Sequence, residues 1–520
     1  MLFNSLLFPN EEINGRENPE ASKMPDFFTD LNLDQVVQSV ISGKEQYNLR
    51  PFFYQGPVDL KTIEYRQQIF QDLERGEIKN RIEQVAENFQ QIKQQLGELE
   101  KLRHKYQKER FFLDVVELYC KAVLKLSDGL KTSPPKSKGL TGFTVYLENY
   151  IKSSAFTSLA KEIQDIVSEL SEIEYNLLID GLKVQVYKYG GEPDYSEEVE
   201  NSFSKFKLGE AKDYLSKLKR NTLLNDVEAQ VLDGVAHHFS ECFSRLDHFF
   251  ENNRHFMDDL ILQFDREVQF YVSYLNHIKK FRNSGLKFCY PDVVSSKNEI
   301  FSNEGFDLAL AQNLSSEENK LGTNNFYLRG KELIIVVSGP NQGGKTTFAR
   351  TFGQLHFLAG IGCPVPGSNA QLFHFNRLFT HFEREENMKN LRGKLLDELV
   401  RIHQILQNAT PESIVIINEI FTSTTLQDQI SLSKKIMSKI EGLDLLGVWV
   451  TFIDELSSSN DKTVSMVSTV VPEMPSERTF KIFRQPANGL AYALSVAEKY
   501  GLTQSSLQEK LNHERFSSVQ

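Results

Sequence analysis

Residues 339–346 read Gly-Pro-Asn-Gln-Gly-Gly-Lys-Thr, directly after the apolar run Leu333-Ile334-Ile335-Val336-Val337-Ser338. Glycines at these spacings let a backbone curl until successive amide N–H groups face one anion. The pattern G-x-x-x-x-G-K-[ST] does this between a buried strand and a helix, whose positive N-terminal end adds to the field. An apolar run without polar alternation is the strand type of a parallel sheet covered on both faces. Two more such runs, Ser413–Ile417 and Gly447–Phe452, alternate with helical stretches. That order predicts a mostly parallel α/β domain.

The residue types of the loop point to ATP with Mg2+. The backbone of Gly339, Pro340, Asn341, Gln342, Gly343 and Gly344 would cradle the phosphate chain, with Thr347 closing the candidate binding set. Lys345 would contact the β- and γ-phosphates, and the Thr346 hydroxyl would ligand Mg2+. The chemistry also needs acidic residues at the end of a neighbouring strand, and Ile414-Val415-Ile416-Ile417 is followed by Asn418-Glu419. Glu419 is the candidate catalytic residue, placed to polarise an attacking water. Asn418 offers Mg2+ a neutral oxygen, so metal binding is expected to be weaker than with a carboxylate.

Ahead of this domain the first 330 residues read as helical. Ile78, Ile82, Val85, Phe89, Ile92, Leu96 and Leu99 recur at alternating spacings of four and three, a seam of coiled-coil type. A second seam runs through Phe239, Cys242, Leu246, Phe249, Phe256, Leu260, Phe264, Val268, Tyr271, Leu275 and Ile278. Neither Gly nor Pro interrupts residues 235–283, so one helix could extend about 70 Å there, a lever candidate. Ordinary helical packing explains both seams equally well. Residues 131–141 read as a loop, and the alternation around 183–192 suggests a short strand and turn.

Beyond the phosphate loop, the chain resembles the MutS family of DNA mismatch-repair ATPases. The family's Gly-Pro-Asn-Met-Gly-Gly-Lys-Ser is similar to Gly339–Thr346, including Pro340 and Asn341, which a generic phosphate loop does not require. Ile361-Gly362-Cys363-Pro364-Val365-Pro366, Leu378-Phe379-Thr380, Ile405–Thr410, and Glu419-Ile420 with Thr424 and Asp428 extend the likeness. It is strong over about 322–503 and rests on helical pattern alone over about 30–290. The resemblance implies a multidomain protein: an all-α core and lever region followed by an α/β P-loop (ABC-type) ATPase domain. The expected division is an amino-terminal segment 1–30, a helical core and lever/clamp 31–320, the ATPase domain 321–505 and a tail 506–520. It further implies a homodimer with nucleotide held between subunits and helical arms that embrace DNA.

Departures from the family pattern are specific. Only about 30 residues precede the helical part, so the family's amino-terminal mismatch reader is expected to be absent. Asn418 stands for the family's Asp, Phe452 for its switch histidine, and Gly393 for a serine that contacts the partner subunit's nucleotide. Arg392 or Lys394, flanking Gly393, is the candidate to reach the γ-phosphate across the dimer. Two functions follow as alternatives: an ATPase whose arms act on DNA in repair or recombination, or a nucleotide-gated protein scaffold with little turnover and no DNA.

Bulk properties bear on that choice. With 59 basic and 70 acidic side chains the net charge is −11, so any polyanion site must be local. Candidates are Lys101, Arg103, His104, Lys105, Lys108 and Arg110, and a second cluster of Lys212, Lys217, Lys219 and Arg220; either also suits a solvated helix face. His237, His238 and Cys242 lack a fourth metal ligand, and Cys242 fits the apolar seam. Four scattered cysteines, no basic leader and no run of about 18 apolar residues predict a cytoplasmic protein without a membrane span.

Overall fold

The three apolar runs of the sequence become strands, and the sheet they join decides where the glycine-rich loop emerges. The computed structural model describes residues 3–9, 23–181, 183–192, 198–199, 202, 224–314, 321–384, 393–458, 460–471 and 474–487. Numbered along the chain, the strands begin with a hairpin, β1 (Tyr175–Asp180) and β2 (Lys183–Lys188). Next come β3 (Phe288–Cys289), β4 (Asp292–Val294), β5 (Glu299–Gly305), β6 (Asn324–Arg329) and β7 (Ile334–Ser338). Then follow β8 (Val365–Pro366), β9 (Asn369–Phe373), β10 (Arg377–His381), β11 (Ser413–Asn418), β12 (Leu446–Val450), β13 (Thr463–Val471) and β14 (Met474–Arg484).

The six-stranded sheet has the order β10-β11-β12-β7-β13-β14, parallel from β10 through β13, with β14 antiparallel at the edge. One face packs Ile334, Val336, Val415, Ile417 and Trp449 against Ile402, Ile405, Ile436, Met437 and Ile440 of two helices, Lys394–Asn408 and Leu426–Gly442. The other face receives the helix Lys345–Gly360, whose Gly353 permits close approach. A Cβ there would lie 2.7 Å from Ile416 Cδ1 and 2.6 Å from Leu31 Cδ1. Burying each such large apolar side chain contributes about 1.5–3 kcal/mol, so the double cover explains the unbroken hydrophobic strands. In register, Val337 pairs with Val450 and Asn418 with Val450 on the opposite edge, so the loops after β7, β11 and β12 leave the sheet together at its carboxyl end.

A second, four-stranded sheet has the order β4-β9-β5-β6, and β3 pairs with β8. The expectation of an all-α region up to about residue 330 therefore needs correction: sheet structure resumes at Phe288, and the chain is mixed helical and α/β with several sheets. These strands escaped notice because most are short and half polar; β3 pairs only with β8 and β4 only with β9, many residues later, while β5 pairs with both β6 and β9. The strand expected near 183–192 is present as β2, paired with β1.

The long lever is also corrected. Residues 235–283 form three helical segments, Asp226–His238, Ser240–Asn252 and Asp259–Asn283. Phe239 departs from helical geometry at φ −116°, ψ 40°. At the second break, the Asn253 amide donates to Phe249 O at 2.9 Å, and the Asp258 carboxylate accepts from Ile261 N at 3.0 Å. Side chains of Asn and Asp compete with the helix ladder and stop it without Gly or Pro.

The described chain forms two compact units, one from Met1–Phe3, Gly76–Pro135 and Thr141–Asp265, the other from Asn4–Arg75, Lys136–Leu140 and Arg266–Gln520. In the first, the seam Ile78, Ile82, Val85, Phe89, Ile92 and Leu99 is buried against the helix Lys105–Thr132, so it is core packing. In the second, an amino-terminal stretch is threaded into the interior: Glu267 accepts from Ser5 Oγ (2.8 Å) and Leu6 N (2.6 Å). The buried Arg66 donates to Leu7 O and to Ile361 O, just beyond the helix Lys345–Gly360, both at 3.0 Å. Among the described residues no helix is long and apolar enough to cross a membrane.

Candidate functional site

The loop between β7 and the helix Lys345–Gly360 folds as its glycines require. Gly339 and Gly344 sit at φ 113° and 90°, where a side chain is strained, and Gln342 at φ 59° shares the left-handed region. Gly343 is needed for space: a Cβ would lie 2.2 Å from Ser468 Oγ on β13, which donates to Gly343 O at 2.7 Å. Arg478 on β14 donates to Asn341 O at 3.0 Å. The loop is thus braced from the sheet's far side by residues that carry no signal in the sequence.

Lys345 is 5% exposed, and its ammonium turns back on the loop. It donates to Gly339 O (3.1 Å), Pro340 O (3.2 Å) and Asn341 Oδ1 (3.4 Å), and pairs with Glu419 at 3.7 Å. The Phe452 ring covers it, with Nζ 4.1 Å from the ring centroid. Burial pushes the Lys345 pKa below its ordinary value, opposed by the Glu419 charge. Burial likewise raises Glu419, opposed by Lys345 and reinforced by Glu383. Each group depends on the other for its charge, as buried ion pairs do.

Thr346 Oγ1 donates to Asn418 Oδ1 at 2.9 Å. Two neutral oxygens side by side suit Mg2+, a hard cation, and without a carboxylate between them the donor set fits a weakly held ion that takes its other ligands from phosphate and water. Among the described residues no cluster of three His, Cys, Asp or Glu is arranged to hold a metal. His238 instead bonds Val186 O at 2.8 Å and Cys242 is half-buried, in keeping with core packing.

Lys345, Thr346 and Glu419 face one cavity of about 750 Å³. Asn341, Gln342, Gly344, Lys345, Thr346, Thr347 and Glu419 line its polar side, so the loop, helix start and acidic strand end meet there. The other side is apolar: Leu310, Leu314 and Phe480, with Gly322 and Asn324. Asp307 caps the helix Leu308–Asn313 that carries Leu310, and Gln354 of the loop helix ties it down at 2.8 Å. Asn324 holds the Phe480 segment by bonds to Phe480 O (3.1 Å) and Ile482 N (2.8 Å). A polar loop thus faces an apolar, aromatic wall across one cavity. The wall comes from segments far from the loop in sequence, with no local pattern to mark it.

Other sequence candidates fare differently. Lys394 is ion-paired with Glu383, and Arg392 lies outside the described residues. In the first basic cluster, His104 pairs with Asp233, Lys105 with Asp247 and Glu109, Lys108 with Glu100, and Arg110 with Asp114. Lys105, Lys108 and Arg110 thus have acidic partners on a solvated helix face. Lys212, Lys217, Lys219 and Arg220 lie outside the described residues.

Comparison with known proteins follows the same geometry. A family model described as MutS domain V matches residues 335–515, which include the loop, Asn418-Glu419 and β10 through β14. The DNA mismatch repair protein MutS of Borrelia garinii subsp. bavariensis is 23% identical over 382 residues, covering 67% of this chain and 44% of that protein. The protein of the same description from Clostridioides difficile is 29% identical over 194 residues (36% and 20%), and that of Chlorobaculum tepidum 25% over 219 residues (41% and 25%). The chain thus spans less than half the length of these relatives.

Proposed function

Because residues 335–515 carry MutS domain V and the chain is thereby a member of the MutS family, we propose that it binds and hydrolyses Mg-ATP at Gly339–Thr347, in an ATPase domain at 321–505. Nucleotide occupancy would open and close its helical parts on DNA, in repair or recombination in the cytoplasm, with a homodimer holding nucleotide at its interface. One observation carries the proposal: a single cavity joins the phosphate loop, Lys345 and Glu419 to the apolar wall of Leu310, Leu314 and Phe480.

Each residue has a physical task. The loop amides and the helix N-terminus would face the phosphate chain. Lys345 would leave the loop carbonyls for the phosphate charge, which frees Glu419 from its ion pair. Glu419, made more basic by burial, would then accept a hydrogen bond from the attacking water and orient it. Thr346 and Asn418 would contribute oxygens to Mg2+, which supplies charge neutralisation at the transferred phosphoryl group. Leu310, Leu314 and Phe480 would pack the base.

Glu419→Gln keeps the size of the side chain and removes its basicity. ATP binding should persist while turnover falls about a hundredfold or more; unchanged turnover refutes the assignment. A second reading, a nucleotide-gated protein scaffold, is favoured by Asn418 and by the ion-paired state of the Lys105 cluster. Mobility-shift assays with duplex, branched and single-stranded DNA across a salt series separate the two. Binding to any form supports the first reading, and none, with or without ATP, leaves the second.

A further inference from the structure

Glu419 does not sit on a relaxed backbone. Its φ is 50° and that of Phe421 is 60°, two non-glycine residues in the left-handed region within three positions. Such conformations are costly for side-chain-bearing residues and persist only where their surroundings over-determine them. Four ties hold this turn. Glu419 N donates to Val450 O at 3.0 Å, and Gln429 Nε2 donates to Ile420 O at 2.9 Å. The Phe421 ring is fully buried in the core between the sheet and the helices Lys394–Asn408 and Leu426–Gly442. The fourth tie is a carboxylate: Phe421 N donates to Glu398 Oε2 at 2.9 Å.

Glu398 is the one of these ties that comes from the helix Lys394–Asn408, near its start. Its side chain is 4% exposed, and its charged neighbours are Lys394, Glu383 and Arg401. Burial raises the Glu398 pKa, and the Phe421 amide and the Lys394 charge oppose it, so the bond to the turn helps keep the carboxylate charged. A buried carboxylate is an unusual expense for mere packing, since an apolar residue would fill the space without desolvating a charge. The turn it closes points Glu419 toward Lys345, so a shift of the turn moves the carboxylate.

We infer that Glu398 is a positioning residue for Glu419: by holding the Phe421 amide it fixes the left-handed turn and links the start of the helix Lys394–Asn408 to the reacting end of the site. This rests on the proposed role of Glu419 in orienting water. Displacement of that helix, whose first residue Lys394 is paired with Glu383, would then reach Glu419 through a single hydrogen bond.

The test compares three variants in steady-state ATP turnover with Mg2+. Glu398→Ala removes the acceptor, Glu398→Asp keeps the charge but withdraws the oxygen from reach, and Glu398→Gln keeps an acceptor at full length. Misplacing a reacting group by about 1 Å costs up to about a hundredfold in rate. The Ala and Asp variants should lose about ten- to a hundredfold in kcat with KM for ATP within about twofold of the parent, and Gln should stay near the parent. Emission of Trp449, the single tryptophan, which is buried in the same core as Phe421, reports whether each variant keeps its packing. Parental kcat in Glu398→Asp, or equal losses in Gln and Asp, overturns the inference. A parent that binds ATP but turns none over defeats the Glu419 reading instead.

Discussion

Replacing Phe452 by alanine should tighten nucleotide binding about fivefold. The resting Lys345 ammonium lies 4.1 Å from the Phe452 centroid, inside the range of about 6 Å over which a ring attracts a cation. Such contacts are worth about 0.5–1 kcal/mol when exposed and about 2 kcal/mol when desolvated. Lys345 is 5% exposed but Phe452 is 49% exposed, so a value near 1 kcal/mol applies. Everything that holds Lys345 in this position competes with a phosphate for it, and about 1 kcal/mol is about a fivefold change in Kd. The carbonyls of Gly339 and Pro340, and Glu419, still hold the lysine in the variant, so the gain stops there. Fluorescence titration with a labelled ATP analogue measures the effect. Phe452→Leu keeps an apolar cover without a ring quadrupole and should behave as alanine does, whereas Phe452→Tyr should bind as the parent. Weaker binding in Phe452→Ala, or parental binding in Phe452→Leu, refutes the reasoning.

Gly343→Ala should reduce ATP affinity more than about tenfold, because its Cβ would meet Ser468 Oγ at 2.2 Å; Ser468→Ala in the same chain should recover part of it, and no recovery points to another obstacle. Asn418→Asp should lower the Mg2+ concentration for half-maximal turnover by about tenfold, since a carboxylate is a stronger ligand for a hard cation than an amide; an unchanged requirement removes residue 418 from the metal site. Burial lifts Glu109 from 4.5 to about 7, with Asp247 and Glu251 adding to it and Lys105 opposing. A folded pKa above the unfolded one gives stability that is present below about 4.5 and lost as pH rises through 7. Glu109→Gln should therefore raise the melting temperature at pH 8 and much less at pH 5; equal shifts at both values contradict the titration.

The loop, its strand and the acidic strand end are local patterns, and the structure brings Asn341, Gln342, Gly344, Lys345, Thr346, Thr347 and Glu419 to one cavity, with Asn418 bonded to Thr346. Helical periodicity around Ile78–Leu99 likewise survives as buried packing. The helix breaks at Phe239 and at Asn253–Asp258 were legible only in part. Asp258 carries a capping signal, but the departure at Phe239 lacks a glycine or proline to announce it. The strands β3, β4 and β5 were not legible, because their short mixed sequences find partners in β8 and β9 only after the chain has folded back, and β6 then pairs with β5.

What the sequence alone determined is therefore the composition of one half of the site: a glycine-rich loop, a lysine, a hydroxyl and a glutamate, each fixed by spacing within a few residues. Tertiary structure decided the rest. Ser468 and Arg478 brace the loop from β13 and β14, Leu310 and Phe480 wall the cavity, Phe452 covers Lys345, and Glu398 holds the turn that aims Glu419. Each of these acts across a long sequence separation or through a backbone group that any residue possesses. Periodicity and motif spacing carry information about neighbours along the chain, whereas these contacts exist only once the sheet brings distant segments within a few ångströms of each other.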